Sequence, residues 1–124
     1  MGYDMRFYVV NRHDNTKIEK EDKDFHYGEV IASYEYCVDY DLARFIDNNS
    51  KPTDTYIWID GKENETVVDC YGDLMKDIDL DELLIYLYDN QDTYRRQLPF
   101  IKMLEGFKQV KNQFEDLRIL MYGH

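Results

Sequence analysis

The sequence predicts an α+β fold, with a largely antiparallel sheet of about five strands and two or three helices on one face. Three observations lead there. Short runs with apolar residues at every second position open the chain and recur along it. Two later stretches repeat apolar residues at helical spacing instead. The resulting order, ββαββααβ, lacks the regular strand and helix alternation of a doubly wound parallel sheet.

The first run, Tyr3 to Val10, places Met5, Phe7 and Val9 on one face and Arg6, Tyr8 and Val10 on the other, the pattern of a central strand. Asn11 to Asp24 mixes both charge signs around a lone Ile18 and predicts a mobile solvated loop or a ragged hairpin. Glu29 to Cys37 alternates again and reads as a second strand. Asp39 or Asp41 then caps a short helix through Leu42, Ala43, Phe45 and Ile46, which Asn48-Asn49-Ser50 ends and Pro52 keeps from resuming. Tyr56 to Ile59 forms a third strand, Asp60-Gly61 a hairpin turn, and Thr66 to Tyr71 the returning fourth. Asp79-x-x-Glu82 is an acidic capping box for a helix whose Leu80, Leu83, Leu84 and Leu87 form one stripe. A further helix starts near Leu98 with Pro99 in its first turn, where a missing N–H costs nothing, and Leu117 to Tyr122 closes the sheet.

The length of 124 residues fits one domain over 1–124, and a 44% apolar content is ample for a core. No stretch approaches the ~20 apolar residues that span a bilayer, and Met1-Gly2-Tyr3-Asp4 lacks the order of a signal peptide, so a cytoplasmic setting and no membrane partner are expected. A myristoylation signal fails at Arg6, where Ser or Thr is required. Cys37 and Cys70 are expected as buried free thiols. His13, His26 and His124 stand in no zinc-ligand spacing, and no cofactor is implied.

Charge is the most informative feature. Residues 31–92 hold sixteen acids against four bases, whereas residues 93–124 hold three acids against Arg95, Arg96, Lys102, Lys108, Lys111 and Arg118; the whole chain carries −11. Such a field repels nucleic acids and anionic membranes and favours a basic protein surface. The basic C-terminal part either forms a local patch or lies beside the acidic middle and neutralises it. The partner-binding candidates are Asp39, Asp41, Asp60, Glu63, Asp69, Asp73, Asp77, Asp79, Asp81, Glu82 and Asp89, with Tyr88 among the tyrosines that stand near them.

Catalytic signals are absent from this pattern. Asp77-x-Asp79-x-Asp81 resembles the start of a calcium loop, but Glu82 replaces the required Gly and Tyr88 the closing Glu, so helix capping explains these acids. Pairs such as Asp39 and Asp41, or Asp69 and Asp73, are joined to no histidine, lysine or glycine-rich loop, and Ser33 and Ser50 lie in no nucleophile elbow. The expectation is a protein that is not an enzyme.

The segments Gly2-Tyr3-Asp4-x-Arg6-Phe7-Tyr8-Val9, Asp69-Cys70-Tyr71-Gly72-Asp73 and Tyr122-Gly123-His124 resemble a group of small uncharacterised acidic proteins of phages and prophages of low-GC Gram-positive bacteria. The AT-rich codon bias behind two alanines beside twelve tyrosines, nine lysines and seven asparagines agrees with that origin. The resemblance carries no catalytic or binding residue, but it implies a setting in which acidic accessory proteins act as inhibitors of host enzymes, of the anti-CRISPR or anti-restriction type. The expected function is therefore a nucleic-acid mimic that occupies the basic channel of a host DNA- or RNA-handling or defence enzyme. An oligomeric phage accessory or assembly protein is the alternative, and a small metal-dependent hydrolase built on the acids from Asp69 to Asp81 is a third.

Overall fold

The computed structural model describes residues 3–20, 23–61, 63–90 and 97–123. The fold is α+β: the described residues form a six-stranded sheet in the order β3-β5-β6-β1-β2-β4 with helices packed on one face. The strands are β1 (Tyr3–Lys20), β2 (Lys23–Val38), β3 (Ser50–Pro52), β4 (Thr55–Tyr56), β5 (Lys76–Ile78) and β6 (Leu117–Gly123), and the helices α1 (Tyr40–Asn49), α2 (Leu80–Asp89) and α3 (Leu98–Gln109). Every pairing is antiparallel except that of β4 with β2.

As its alternation predicts, β1 is central, between β2 and β6. Asn11 to Asp24 falls in the hairpin rather than a solvated loop: β1 runs on to Lys20 and β2 begins at Lys23, ragged by a register shift between His13 and Ile18. Asn11 and Arg12 have partners within the fold. Asn11 Oδ1 accepts the backbone N–H groups of Glu115 (3.1 Å) and Asp116 (3.2 Å), and the Arg12 N–H donates to the Asp116 carbonyl. A second shift, where Val9 pairs Ala32 but Val10 pairs Val30, leaves Ile31 as a bulge. Gly28 is required by packing, because a Cβ there would meet both Thr55 Cγ2 and Val10 Cγ1 at 2.5 Å.

The helices form for the reasons the sequence predicts. Asp39 accepts the Leu42 N–H at 2.8 Å, and Asp79 accepts those of Asp81 and Glu82 at 3.0 and 3.1 Å. Leu42 and Ile46 of α1, the four leucines of α2, and Phe100, Ile101 and Leu104 of α3 then bury against Phe7, Val9, Ile78, Leu117, Ile119 and Met121 of the sheet. Each such side chain contributes roughly 1.5–3 kcal/mol of burial. Phe100 stacks on Tyr34 and tilts against Phe7, at 4.9 and 5.0 Å between centroids.

The opposite sheet face is closed by residues 57–75, hereafter the cover. Ile57, Ile59 and Met75 bury against Tyr8, Val10, Leu120 and Tyr122. The expected fourth strand, Thr66 to Tyr71, is replaced here by two isolated bridges, Ile57 to Thr66 and Val68 to Leu74. The Asp69 carboxylate accepts the N–H groups of Tyr71 and Asp73, and Gly72 adopts a φ of +83°, so the chain turns where a strand would have to continue. The strand pairing moves to β5 and β3, with Pro52 on the edge strand where its missing N–H is tolerated.

Candidate functional site

A concavity lies between the β1–β2 hairpin and the cover. This groove of about 540 Å³ is lined by Arg6 and Tyr8 of β1, Glu29, Val30 and Ser33 of β2, and Trp58, Ile59 and Asp60 of the cover, with His13 and Gly28 at its margin. Tyr8 and Val30 reach it because β1 and β2 turn alternate residues to this side, and Ile59 anchors the cover in the core beside Tyr8.

Trp58, the single tryptophan, is 52% exposed. The Ile57–Thr66 bridge places it on the strand-like stretch that leads into the Asp60-Gly61 turn, where Gly61 takes a φ of +87°. The cation in the groove is neutralised internally: Arg6 forms an ion pair with Glu35, and that hydrogen bond, helped by one to Tyr8, raises the guanidinium above its ordinary value. His13 Nδ1 lies 3.0 Å from Glu115 Oε2. Glu29 and Asp60 are exposed and have no ion pair among the described residues.

Two arginines at the far end of β1 and on β6 are tied up in the fold. Arg12 forks onto Asp54, with Nε–Oδ1 at 3.0 Å and Nη2–Oδ2 at 2.9 Å, and also contacts Asp14 and Asp116. Burial pushes the Asp54 carboxyl up, but the hydrogen bonds from Arg12 and Thr55 and the Arg12 charge outweigh it and hold Asp54 below the ordinary carboxylate range. Asp77, 3% exposed, accepts from Arg118 at 2.9 and 3.2 Å; burial raises its carboxyl and Arg118 offsets only part of that rise.

The sheet separates the acids that the sequence groups together. Asp39, Asp41, Asp79, Asp81, Glu82, Tyr88 and Asp89 belong to the helical layer, whereas Asp60, Glu63, Asp69 and Asp73 lie in the cover. Asp77 is buried at the sheet and committed to Arg118, so it offers nothing to a surface, a correction to its place among the candidates. Asp39 and Asp79 are helix caps, and Asp69 holds the turn. Asp81 pairs with Lys108 and Lys111 at 3.6 and 3.4 Å. The basic C-terminal part thus neutralises Asp77 and Asp81. It pairs with no acid of the cover among the described residues, and Asp92, Arg95, Arg96 and His124 lie outside them.

What the sequence did not mark is Trp58, and its only signal was a lone indole two residues before an Asp-Gly turn. Cys70 corrects another expectation, being exposed in the 69–73 turn rather than buried; the Cys37 side chain lies outside the described set. Among the described residues no three His, Cys, Asp or Glu side chains converge to hold a metal, and no helix is long and apolar enough to cross a membrane. Compared with known proteins, the chain has no significant match to a family model, a curated protein or a solved structure.

Proposed function

We propose that this chain is a non-catalytic interaction protein that binds a basic surface on a nucleic-acid-handling enzyme, presenting carboxylates where that enzyme expects phosphates. The observation that carries the reading is the cover. From Asp60 to Asp73 it holds five acids against one lysine, and Asp60, Glu63, Glu65 and Asp73 are exposed without an ion pair among the described residues. Trp58 and Tyr71, 52% and 69% exposed, stand in the same segment, so it combines negative charge with the aromatic side chains that anchor protein interfaces. The resemblance to acidic phage proteins supports a host enzyme, of the anti-CRISPR or anti-restriction class of target, and hence a cytoplasmic site of action. The test is capture of enzymes from a lysate of a low-GC Gram-positive host at ~50 and ~500 mM salt. The reading expects a nucleic-acid enzyme that is lost at high salt and displaced by competing DNA; capture indifferent to both salt and DNA would overturn it.

A second reading, an oligomeric accessory protein, is favoured by one observation: Ile85 on α2 and Leu98 at the start of α3 are 58% and 46% exposed, large apolar side chains without cover. It predicts self-association in light scattering that persists in high salt.

A further inference from the structure

We propose that the hollow between α1 and the sheet, beneath Arg44, is a binding site for an aromatic monocarboxylate: one ring carrying one carboxylate on a short arm. It lies on the face of the sheet opposite the cover and goes beyond the interaction reading, on which it does not depend.

Strand register and helix spacing bring its parts together. Met5 and Met121 pack with the helix-side core, and Lys76 is the direct cross-strand partner of Met121, so all three side chains leave the sheet on the same face. Above them α1 presents Tyr40, Ala43, Arg44 and Asp47, which share one helix face by their spacing of three and four residues. The two sets enclose about 280 Å³. An apolar cavity of ~150 Å³ takes up benzene, so this hollow has room for a ring with a short polar arm and little more.

The occupant follows from the lining. Its floor holds two thioethers, and methionine sulfur makes favourable contacts with aromatic rings. Its rim has an excess of positive charge: Asp47 pairs with Lys76, which leaves Arg44 with no ion pair among the described residues. Arg44 is held in place by another contact, with its Cζ 4.7 Å from the centre of the Tyr40 ring one turn earlier. A guanidinium resting on a ring face keeps the N–H groups at its edge available, and these match the two oxygens of a carboxylate. The chain's charge of −11 then selects among anions, because it adds repulsion for every negative charge on the ligand. A monocarboxylate is thereby favoured over a phosphate ester or a nucleotide.

Methionine methyl groups report the hollow directly, because Met5 and Met121 line it while Met75 is buried under the cover on the other face. The full chain, isotope-labelled at its methionine methyls, is titrated in an NMR experiment with hydrocinnamate, with its neutral amide, with phenyl phosphate and with butyrate, which lacks the ring. Hydrocinnamate is expected to shift the Met5 and Met121 signals saturably and to leave Met75 unmoved. The amide and butyrate should bind roughly tenfold or more weakly, and phenyl phosphate more weakly than hydrocinnamate. Arg44→Gln, at an exposed position, is expected to weaken hydrocinnamate by roughly tenfold or more. Asp47→Asn, which releases Lys76, should tighten it, a gain that a disturbed fold does not produce. A short peptide ending in phenylalanine, with a free or an amidated terminus, separates two sources of the same chemistry: binding of the free-acid form assigns the hollow to a protein C-terminus, and its exclusion assigns it to a small free acid. No saturable shift at Met5 or Met121, equal binding of hydrocinnamate and its amide, or an Arg44→Gln variant that binds as the parent does would overturn the proposal. None of these outcomes alters the salt-sensitive capture that tests the interaction reading.

Discussion

The two faces of the sheet are closed in different ways. On one, three helices lay periodic leucine and phenylalanine stripes against Phe7, Val9, Ile119 and Met121, with charged groups kept to the rim. On the other, a segment held by two isolated bridges and a carboxylate-centred turn covers Tyr8, Val10, Leu120 and Tyr122, and beside it the fold accommodates the Asp77–Arg118 and Arg12–Asp54 pairs. The first face is a solution to burial. The second buries less regularly and leaves a groove, an exposed indole and unneutralised acids, which is why the functional reading falls there.

That contrast can be broken by substitution. The largest effects should come from the closed face and from the buried charge. Leu84→Ala removes a fully buried side chain from α2 and is expected to cost about 2–5 kcal/mol in urea unfolding. Asp77→Ala should cost about 3–5 kcal/mol, since it leaves the largely buried Arg118 guanidinium unpaired; Asp77→Asn should cost less. Ile57→Ala creates a comparable hole under the cover, yet should cost less than half as much as Leu84→Ala in global unfolding, because the cover can open by itself. Hydrogen exchange checks the distinction: amides of Ile57, Thr66 and Met75 should exchange by local opening, while those of α2 exchange with global unfolding. Equal protection of both layers would erase the comparison.

The two carboxylates of the second face should respond to acid with opposite signs. Asp54 has a depressed folded pKa, so its stabilisation is complete above the ordinary carboxylate value of about 4 and is lost as pH falls through the lower folded value. Asp77 has a raised folded pKa. Its native form takes up a proton before the unfolded chain does, so acidification toward pH ~4 favours the fold at this residue. Between pH 7 and pH 3, Asp54→Asn should therefore lose less stability than the parent, and Asp77→Asn more. Urea midpoints across that range measure both, and parallel curves for the two variants would contradict the assignment.

The legibility of this fold in the sequence follows the length of its periodic runs. Tyr3 to Val10, Leu117 to Tyr122 and the stripes of α2 and α3 are long enough for their spacing to declare them, and the caps Asp39 and Asp79 act as their sequence context predicts. Strands β3 and β5 have three residues each, too short for any alternation to show. The stretch Thr66 to Tyr71 looks like a strand by its composition, but only Val67 is buried, and Asp69 spends its carboxylate on turning the chain. The acids were hardest to read. Asp77, Asp79 and Asp81 alternate in sequence, yet one is buried on Arg118, one caps a helix and one meets two lysines, because each faces a different neighbour in space. The groove was not legible at all, since it arises where the cover crosses β1 and β2.

The central claim is that the cover, and not the helical layer, meets the basic partner. It is tested most directly by charge reversal on each side in the same salt-sensitive capture. Glu63→Lys, Glu65→Lys and Asp73→Lys together alter exposed cover positions, and Asp41→Lys, Glu82→Lys and Asp89→Lys make the same change of charge on exposed helical ones. The account predicts that the cover variant loses the partner, with affinity falling at least tenfold, while the helical variant keeps most of it. Loss in the helical variant with retention in the cover variant would contradict it.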